Sequence, residues 1–475
     1  MMTLKIAVRN ILRNRRRSAM TASAIAVGAV AMLLFGGFMA YIVTGLEYRI
    51  VRSGGHLSVF HAGYFDFGAG NPAAYGIRDY EGLIKRIHQD PVLGPMVRVA
   101  TPTVTLFGIA GNFAIDASKT FYGVGVVPSD RDRMREWDEY DEQRMVDALG
   151  LSPKTPLPNL RDDDASRGVV GVGLARILGL CAQLNLKDCP QPPAPTDAST
   201  RGAPPPAEDF TELAQRDRVA AAAQPDAGMP RIDLLGATAG GAPNVVSLYV
   251  RGALYQNVKE LDDAYVGMHI SLAQRLLYGR GEHDVTSIVL QLYRTEDIPA
   301  ARARLVELFT QQGLPLEVHD FTELEPFYNE VMGFFGATFG FIAAIMSVIV
   351  LFTVVNTMSM SVMERTTEIG TLRAMGVRRR GIRRQFVIEG CVLGLIGATS
   401  GVILAQISAE LINHAGLFWM APGQAKPIPL LVLMSGVWKL LFGTWLGLIL
   451  LACVASLIPA NRGARMPVVD ALRHV

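Results

Sequence analysis

The chain alternates long uncharged apolar stretches with mixed polar ones. No Asp, Glu, Lys or Arg occurs in Ser18–Leu46, Val331–Met363, Gly390–Ala409 or Leu440–Asn461. A bilayer core about 30 Å thick needs about 20 mainly apolar residues in a helix. Four membrane spans are therefore expected, over 18–46, 331–359, 386–412 and 435–459. Lys439 falls near one end of the last span, where a long side chain can snorkel, and Trp419 and Trp438 suit an interfacial belt. The first stretch follows a basic segment, as the core of a secretory signal does. It runs 29 residues without a charge, whereas a signal's apolar region has about 7–15, so it reads as an uncleaved span.

Four spans return both ends of the chain to one side, and the basic residues indicate which. Residues 1–17 hold Lys5, Arg9, Arg13, Arg15, Arg16 and Arg17 without an acid, and the connection 360–385 adds Arg365, Arg373, Arg378, Arg379, Arg380, Arg383 and Arg384. Lys and Arg collect on the cytoplasmic side. The basic N-terminus 1–17, the connection 360–385 and the tail 460–475 are accordingly expected in the cytoplasm, with 47–330 and the loop 413–434 outside it. The net charge of +2 conceals this polarity, because residues 47–330 carry 38 of the 43 acidic side chains but 27 of the 45 basic ones. Topology and anionic headgroups account for the basic patches beside the spans, which argues against nucleic acid as a partner.

The 284 residues from 47 to 330 are long enough for a folded domain with its own core. Tyr80–His88 reads as a helix, and Val97–Gly108 and Thr120–Val127 read as strands. Residues 285–294, 300–313 and 314–321 follow as strand, helix and strand. The fold class expected is an α-helical membrane protein with four transmembrane helices plus a large α+β extracytoplasmic domain between helices 1 and 2. Within that domain the Pro-rich segment 190–230 has little to bury and reads as an insertion, with a partner-docking arm as the alternative. The charged run 129–144 reads as a solvated helix.

Cys181 and Cys189, eight apart on the oxidising side, form a plausible local disulfide. Cys391 and Cys453 fall inside spans and read as small apolar residues. No zinc-ligand spacing occurs, and the sequence lacks G-x-x-x-x-G-K-[ST], H-E-x-x-H and G-x-S-x-G. "GVGLAR" at 171–176 lacks the third glycine of a dinucleotide fingerprint. The chain reads as a non-enzyme with no metal and no cofactor of its own.

One charged segment between two spans, "MERTTEIGTLRAMGVRRRG" at 363–381, has a helical rhythm. Ile369, Leu372, Met375 and Gly376 share one face, while Arg365, Glu368 and Arg373 lie largely off it. Such a helix can dock a partner, or it can lie on the lipid surface with Arg378–Arg384 at the headgroups. Gly370 and Gly376 each cost about 1 kcal/mol in a helix interior, so a close backbone approach or a helix end is expected there.

The stretch 364–401, "ERTTEIGTLRAMGVRRRGIRRQFVIEGCVLGLIGATSG", resembles the cytoplasmic signature of the FtsX-like permeases, four-span ABC transporter subunits that include the MacB exporters and the lipoprotein-releasing LolC and LolE. The segments "AVRNILRNRRRSAMTASAIAVG" and "IPANRGARMPVVDALRHV" resemble the family's two ends, and 54–65 and 248–277 look closest to the lipoprotein-releasing branch. The resemblance implies a mechanotransmission subunit of the bacterial cytoplasmic (inner) membrane with a periplasmic domain. It also implies pairing with a second permease, as a homo- or heterodimer, and a dimer of separate ABC ATPases that bind ATP and Mg. Glu364, Arg365, Glu368, Ile369, Leu372, Arg373 and Met375 would couple to the ATPase, with Gly370 and Gly376 allowing close packing. The implied cargo is a lipoprotein or other amphiphile, pushed onward from the outer leaflet or the periplasm, with a periplasmic adaptor or lipoprotein as a further partner. Efflux of drugs or peptides, and signalling to an external hydrolase, are the alternatives within the family.

Overall fold

The computed structural model describes residues 7, 9–11, 13–139, 160–187, 189, 228–238, 240–256, 258–279, 281, 283–420 and 427–467. The insertion expected at 190–230 lies outside the described residues except for 228–230, as do 140–144 of the charged run, whose beginning is the helix Pro128–Arg135.

Five helices form the apolar part of the protein: α1 (Arg15–Gly54), α2 (Pro326–Glu364), α3 (Thr366–Ala374), α4 (Arg379–His414) and α5 (Trp438–Arg465). All but α3 are long and apolar enough to cross a membrane. Phe334, Phe341, Phe352, Leu411 and Phe442 are each more than half exposed, an outward apolar skirt that suits lipid rather than water. Helices α1 and α2 run 40 and 39 residues, roughly 60 Å at 1.5 Å per residue. Since that is about twice a bilayer core, the spans expected at 18–46 and 331–359 are the inner parts of longer rods.

Glycines on α4 set how closely the bundle packs. A Cβ on Gly401 would stand 2.5 Å from the Ala29 Cβ of α1, and one on Gly390 would stand 2.5 Å from the Ser456 Cβ of α5. The second crossing corrects the reading of Cys391 and Cys453 as independent apolar residues. With their Cα atoms 4.8 Å apart, they are bonded to one another across α4 and α5. Cys181 and Cys189 are also joined, with Sγ–Sγ 2.06 Å.

Between α1 and α2 the described residues form nine strands: β1 (Leu57–His61), β2 (Val97–Asn112), β3 (Ala117–Val126), β4 (Arg167–Gly171), β5 (Arg231–Ala237), β6 (Pro243–Leu254), β7 (Tyr265–His269), β8 (Ser287–Leu292) and β9 (Leu316–Asp320). Their order is β3-β7-β4-β6-β5-β2-β8-β1-β9, and β3 also pairs back to β2. Six strands therefore close into a barrel, and β8, β1 and β9 extend from it as a sheet. The 16-residue β2 belongs to both parts: Val97–Thr103 pairs with β8, and Val104–Asn112 pairs with β3. The strands and helices read from 80–127 and 285–321 are present, but the α+β expectation contained no barrel. Closure rests on the parallel pairs β3–β7 and β4–β6, which join segments far apart in sequence. The helix Ile270–Tyr278 packs against β2, β3, β5, β6 and β7 and buries Leu272, Ala273 and Leu276 in the barrel core. At "GVGLAR" the Asp262 carboxylate accepts from the amides of Val172 and Gly173, so the chain itself supplies the anion at that helix start.

The two rods join this domain at one place. Helix α1 turns into β1 at Gly55, whose φ is +74°. A Cβ there would meet Val289 Cγ1 at 2.5 Å and the Leu290 carbonyl oxygen at 2.8 Å. Strand β9 passes through Phe321–Leu324 into α2, with the Asp320 carboxylate capping the amides of Thr322 and Glu323. Strands β1 and β9 are antiparallel neighbours, from Leu57 opposite Asp320 to His61 opposite Leu316. Tyr48, Val51, Trp137, Phe321 and Tyr328 pack into an apolar knot beside them.

Wholly buried His56 ties that knot to β8. Its Nδ1 accepts from the Leu292 amide at 2.9 Å, and its Nε2 faces Thr295 Oγ1 at 3.3 Å. The Thr295 hydroxyl in turn donates toward Glu47 at 2.9 Å and Glu139 at 3.0 Å, so its oxygen is left to accept from a neutral imidazole that carries its proton on Nε2. Burial pushes the imidazole pKa from 6.5 down to about 3. Below pH 6.5 the unfolded chain binds a proton that the folded junction refuses, so the junction loses stability as pH falls from 6.5 toward about 3 and keeps it above that window. Amide-exchange protection of residues 47–57 and 287–295, corrected for intrinsic rates, should therefore be lower at pH 5 than at pH 7.5. His56→Gln should flatten that difference, whereas an equal difference in the variant would rule His56 out as its source.

Candidate functional site

The arginine-rich end of the bundle is built where α2 stops. Arg365 leaves the helical conformation with φ −108° and ψ 20°, and α3 starts at Thr366. Nine residues later α3 ends in a Schellman turn. The Val377 amide donates to the Leu372 carbonyl at 3.0 Å, the Gly376 amide donates to Arg373 at 3.1 Å, and Gly376 adopts φ +92°. Gly376 thus serves as a helix end. Among the described residues, no neighbour stands within 4 Å of where its Cβ would be, so its outer side is open. Gly370 is the buried one of the pair.

The charged residues expected to face an ATPase are engaged within this chain. Arg365 is 3% exposed, and its Nη1 lies 3.3 Å from Glu389 Oε2, with both side chains buried between α2, α3 and α4. Its Nη2 is buried without a hydrogen-bond partner among the described residues. Arg365 therefore turns inward, because a long chain leaving a helix end beside a buried carboxylate pairs with it rather than leaving it uncompensated. Glu364 accepts from Arg17 at 2.6 and 2.8 Å and from Asn14 at 3.2 Å, and Glu368 accepts from Arg13 at 3.2 Å. These pairs are solvent-facing and each contributes about 0–1 kcal/mol. Their effect is positional, since Arg17 and Asn14 strap the start of α1 to the end of α2 and Arg13 reaches α3. Arg373 donates to the carbonyls of Ala464 and Met466 at 2.9 and 3.4 Å, at the end of α5 where helix carbonyls lack internal partners.

The apolar face of α3 is divided. Ile369, 3% exposed, joins Val362, Ala460 and Ala464 in the bundle core. Leu372 is half-buried, while Met375 (69%), Met363 (59%) and Val377 (38%) stand out in solvent beside Arg378–Arg380. The shared face of Ile369, Leu372, Met375 and Gly376 thus splits into an anchor and an outward apolar edge. Such an arrangement can transmit a push on α3 into α1, α2, α4 and α5 at once. Among the described residues, no group of three or more His, Cys, Asp or Glu is placed to hold a metal.

Glu389 and Arg17 complete this end, yet neither was singled out from the sequence. A signal for Glu389 was present, because an acid at the edge of an apolar stretch requires a partner. Naming Arg365 over its many arginine neighbours required the geometry.

Residues 340–468 match the FtsX-like permease C-terminal family. The chain is 26% identical over 227 residues to an uncharacterised ABC transporter permease of Methanocaldococcus jannaschii, a match covering 47% of this chain and 54% of that protein. It is 29% identical over 198 residues to the uncharacterised ABC transporter permease YknZ of Bacillus subtilis, covering 41% and 46%. To the macrolide export ATP-binding/permease protein MacB of Bdellovibrio bacteriovorus it is 27% identical over 202 residues, covering 41% and 29%. The chain thus spans about half the length of the two permeases and less than a third of the MacB protein.

The Arg365–Glu389 pair gives a direct test of this construction. Arg365→Met leaves a buried carboxylate alone, which should cost about 3–5 kcal/mol, whereas Arg365→Met with Glu389→Leu should recover most of it. Thermal unfolding of the purified protein measures both. A double variant no more stable than Arg365→Met would show that the pair is not energetically coupled.

Proposed function

We propose that this chain, an ABC transporter permease of the FtsX/MacB type, converts ATP-driven movement of a separate cytoplasmic ATPase into movement of its domain between α1 and α2. The observation that carries the reading is the pairing of β1 with β9. One strand continues α1 and the other leads into α2, so relative motion of the two rods is delivered to a single hydrogen-bonded pair. From there β8 and the shared β2 lead into the barrel. ATP and Mg belong to the partner in this reading, and the permease supplies only the coupling edge.

The orientation proposed has both ends of the chain and α3 in the cytoplasm and the barrel domain in the periplasm of an inner-membrane protein. The arginine concentration at 13–17 and 378–384 supports it. A second permease, identical or different, would pack on α2. Only 11% of that helix's most apolar stretch is buried within the chain, and nothing stands within 4 Å of a Cβ at Gly336 or Gly340, a G-x-x-x-G spacing that admits a neighbouring helix. For cargo we favour a lipoprotein or comparable amphiphile, lifted from the outer leaflet toward a periplasmic carrier. Drug or peptide efflux is the second reading, favoured by the similarity to MacB.

In a variant without native cysteines, a single cysteine at Lys119 should label from outside intact spheroplasts, and one at Arg379 should label only after lysis. External labelling at Arg379 would reverse the orientation. Met375→Asp places a charge on the exposed edge without entering the core, so the fold and membrane insertion should survive. The ATPase that co-purifies with the native chain should then be lost, or should stop responding to the permease. If α3 instead lies on lipid, Met375→Asp should retain the coupled ATPase, and neutralising Arg378, Arg379 and Arg380 together should produce the defect.

A further inference from the structure

A cavity of about 560 Å³ lies where the rods meet the domain, between the end of α1, the start of α2 and the faces of β1, β8, β2 and β3. Its volume is in the range that encloses a small organic ligand, about 300–1,000 Å³. Phe60, Phe65, Val124, Val126 and Leu324 give it apolar walls. Set into those walls is a short polar row on β1, β2 and β8: Ser58, Thr101, Thr103, Thr105 and Ser287. Thr101 is 6% exposed, and its Oγ1 has no hydrogen-bond partner among the described residues. A buried hydroxyl is ordinarily paired, and this one is covered by its neighbours, so the cavity's polar character comes from Thr103, Thr105 and Arg131 in the lining.

The charge in the lining is arranged unevenly. Arg131, on the helix Pro128–Arg135, donates to the Ser53 carbonyl at the end of α1 rather than to a carboxylate. Burial lowers the pKa of its guanidinium, as expected for a cation that has no carboxylate paired with it among the described residues. Glu325, the acid in the lining, stands at the exposed rim. The position also matters: Gly54 is eight residues past Leu46, the end of the uncharged part of α1, or about 12 Å along the helix. The α1 side of the cavity lining is therefore close to the uncharged part of that helix.

We propose that this cavity binds a single-chain anionic amphiphile, with its carboxylate or phosphate head at Arg131 and its apolar chain along the β2–β3 face, against Phe60, Phe65, Val124 and Val126. The cavity lies within one chain and needs no ATPase. A failure here leaves the permease reading intact, and loss of ATPase association leaves this site intact.

The full chain, reconstituted in phosphatidylcholine nanodiscs, is exposed to a long-chain fatty acid bearing a mid-chain diazirine, irradiated, and mapped by peptide mass spectrometry. A phosphate-headed lysolipid and a long-chain alcohol bearing the same diazirine are run in parallel. Expected labelling includes 58–65, 101–107 and 122–126 in addition to the membrane helices. Thr103→Phe, which fills the cavity, should abolish the domain labels while leaving those on the membrane helices unchanged. Arg131→Gln should lower domain labelling by the anionic probes about tenfold, the loss of one charge-assisted contact, without changing that by the alcohol. Preference between the carboxylate and the phosphate probe identifies the source of the natural ligand. Wild-type labelling confined to α1, α2, α4 and α5, or domain labels that persist in Thr103→Phe, would overturn the site. Equal labelling of the domain by the alcohol and the acids would overturn its anionic character. Unchanged thermal unfolding and an intact Cys181–Cys189 bond establish that each variant is folded.

Discussion

Five backbone pairs between β1 and β9, from Leu57–Asp320 to His61–Leu316, hold together the start and the finish of everything inserted between the two long helices. Because α1 reaches β1 through one turn at Gly55 and β9 reaches α2 through Phe321–Leu324, the rods cannot slide past each other without disrupting that ladder or bending at those joints. The apolar knot of Tyr48, Trp137, Phe321 and Tyr328 and the neutral His56 stiffen the joints further. An inserted domain held by two distant loops could stay still while its helices moved. This one has no such slack.

At the other end the constraint is electrostatic. A guanidinium and a carboxylate, both almost fully withdrawn from water, meet where α2 gives way to α3. Burying such a pair yields little net stability, but separating it is costly, so α3 keeps one position relative to α4. The solvent-facing contact of Arg13 with Glu368 and the contact of Arg373 with the last carbonyls of α5 repeat the pattern with weaker bonds, while Arg17 holds the end of α2 at Glu364. Together they make α3 a part of the bundle. The exposed Met363, Met375 and Val377 stand at the edge of this fixed assembly.

Much of the plan was legible in the sequence, because its causes are local and additive. Uncharged stretches of about 20 residues or more must be helical to satisfy their backbone groups in a bilayer, and all four appear as helices. The helix at Tyr80–Gln89 and the strand, helix and strand of 287–320 follow from short-range periodicity. The bond between Cys181 and Cys189 needed only nearness in the chain. The helical rhythm at 366–374 was equally visible, although which side of it faces the protein was not.

What tertiary structure alone decided depends on partners remote in sequence. The barrel closes through parallel pairs such as Tyr122 with Tyr265 and Arg167 with Tyr249, and a strand's own alternation says nothing about which distant strand lies beside it. Cys391 and Cys453 meet because glycines on α4 let α5 approach. The inward turn of Arg365 among so many outward arginines was set by the position of a single carboxylate 24 residues away. The cavity beneath β2 and β3 exists only as the space left when rods, sheet and barrel are joined at one corner. Sequence therefore determined which segments enter the apolar layer and where they turn, since hydropathy and charge act residue by residue. Which side chains meet at the two ends of the rods was decided by packing, because contact is a property of pairs that only the folded chain brings together.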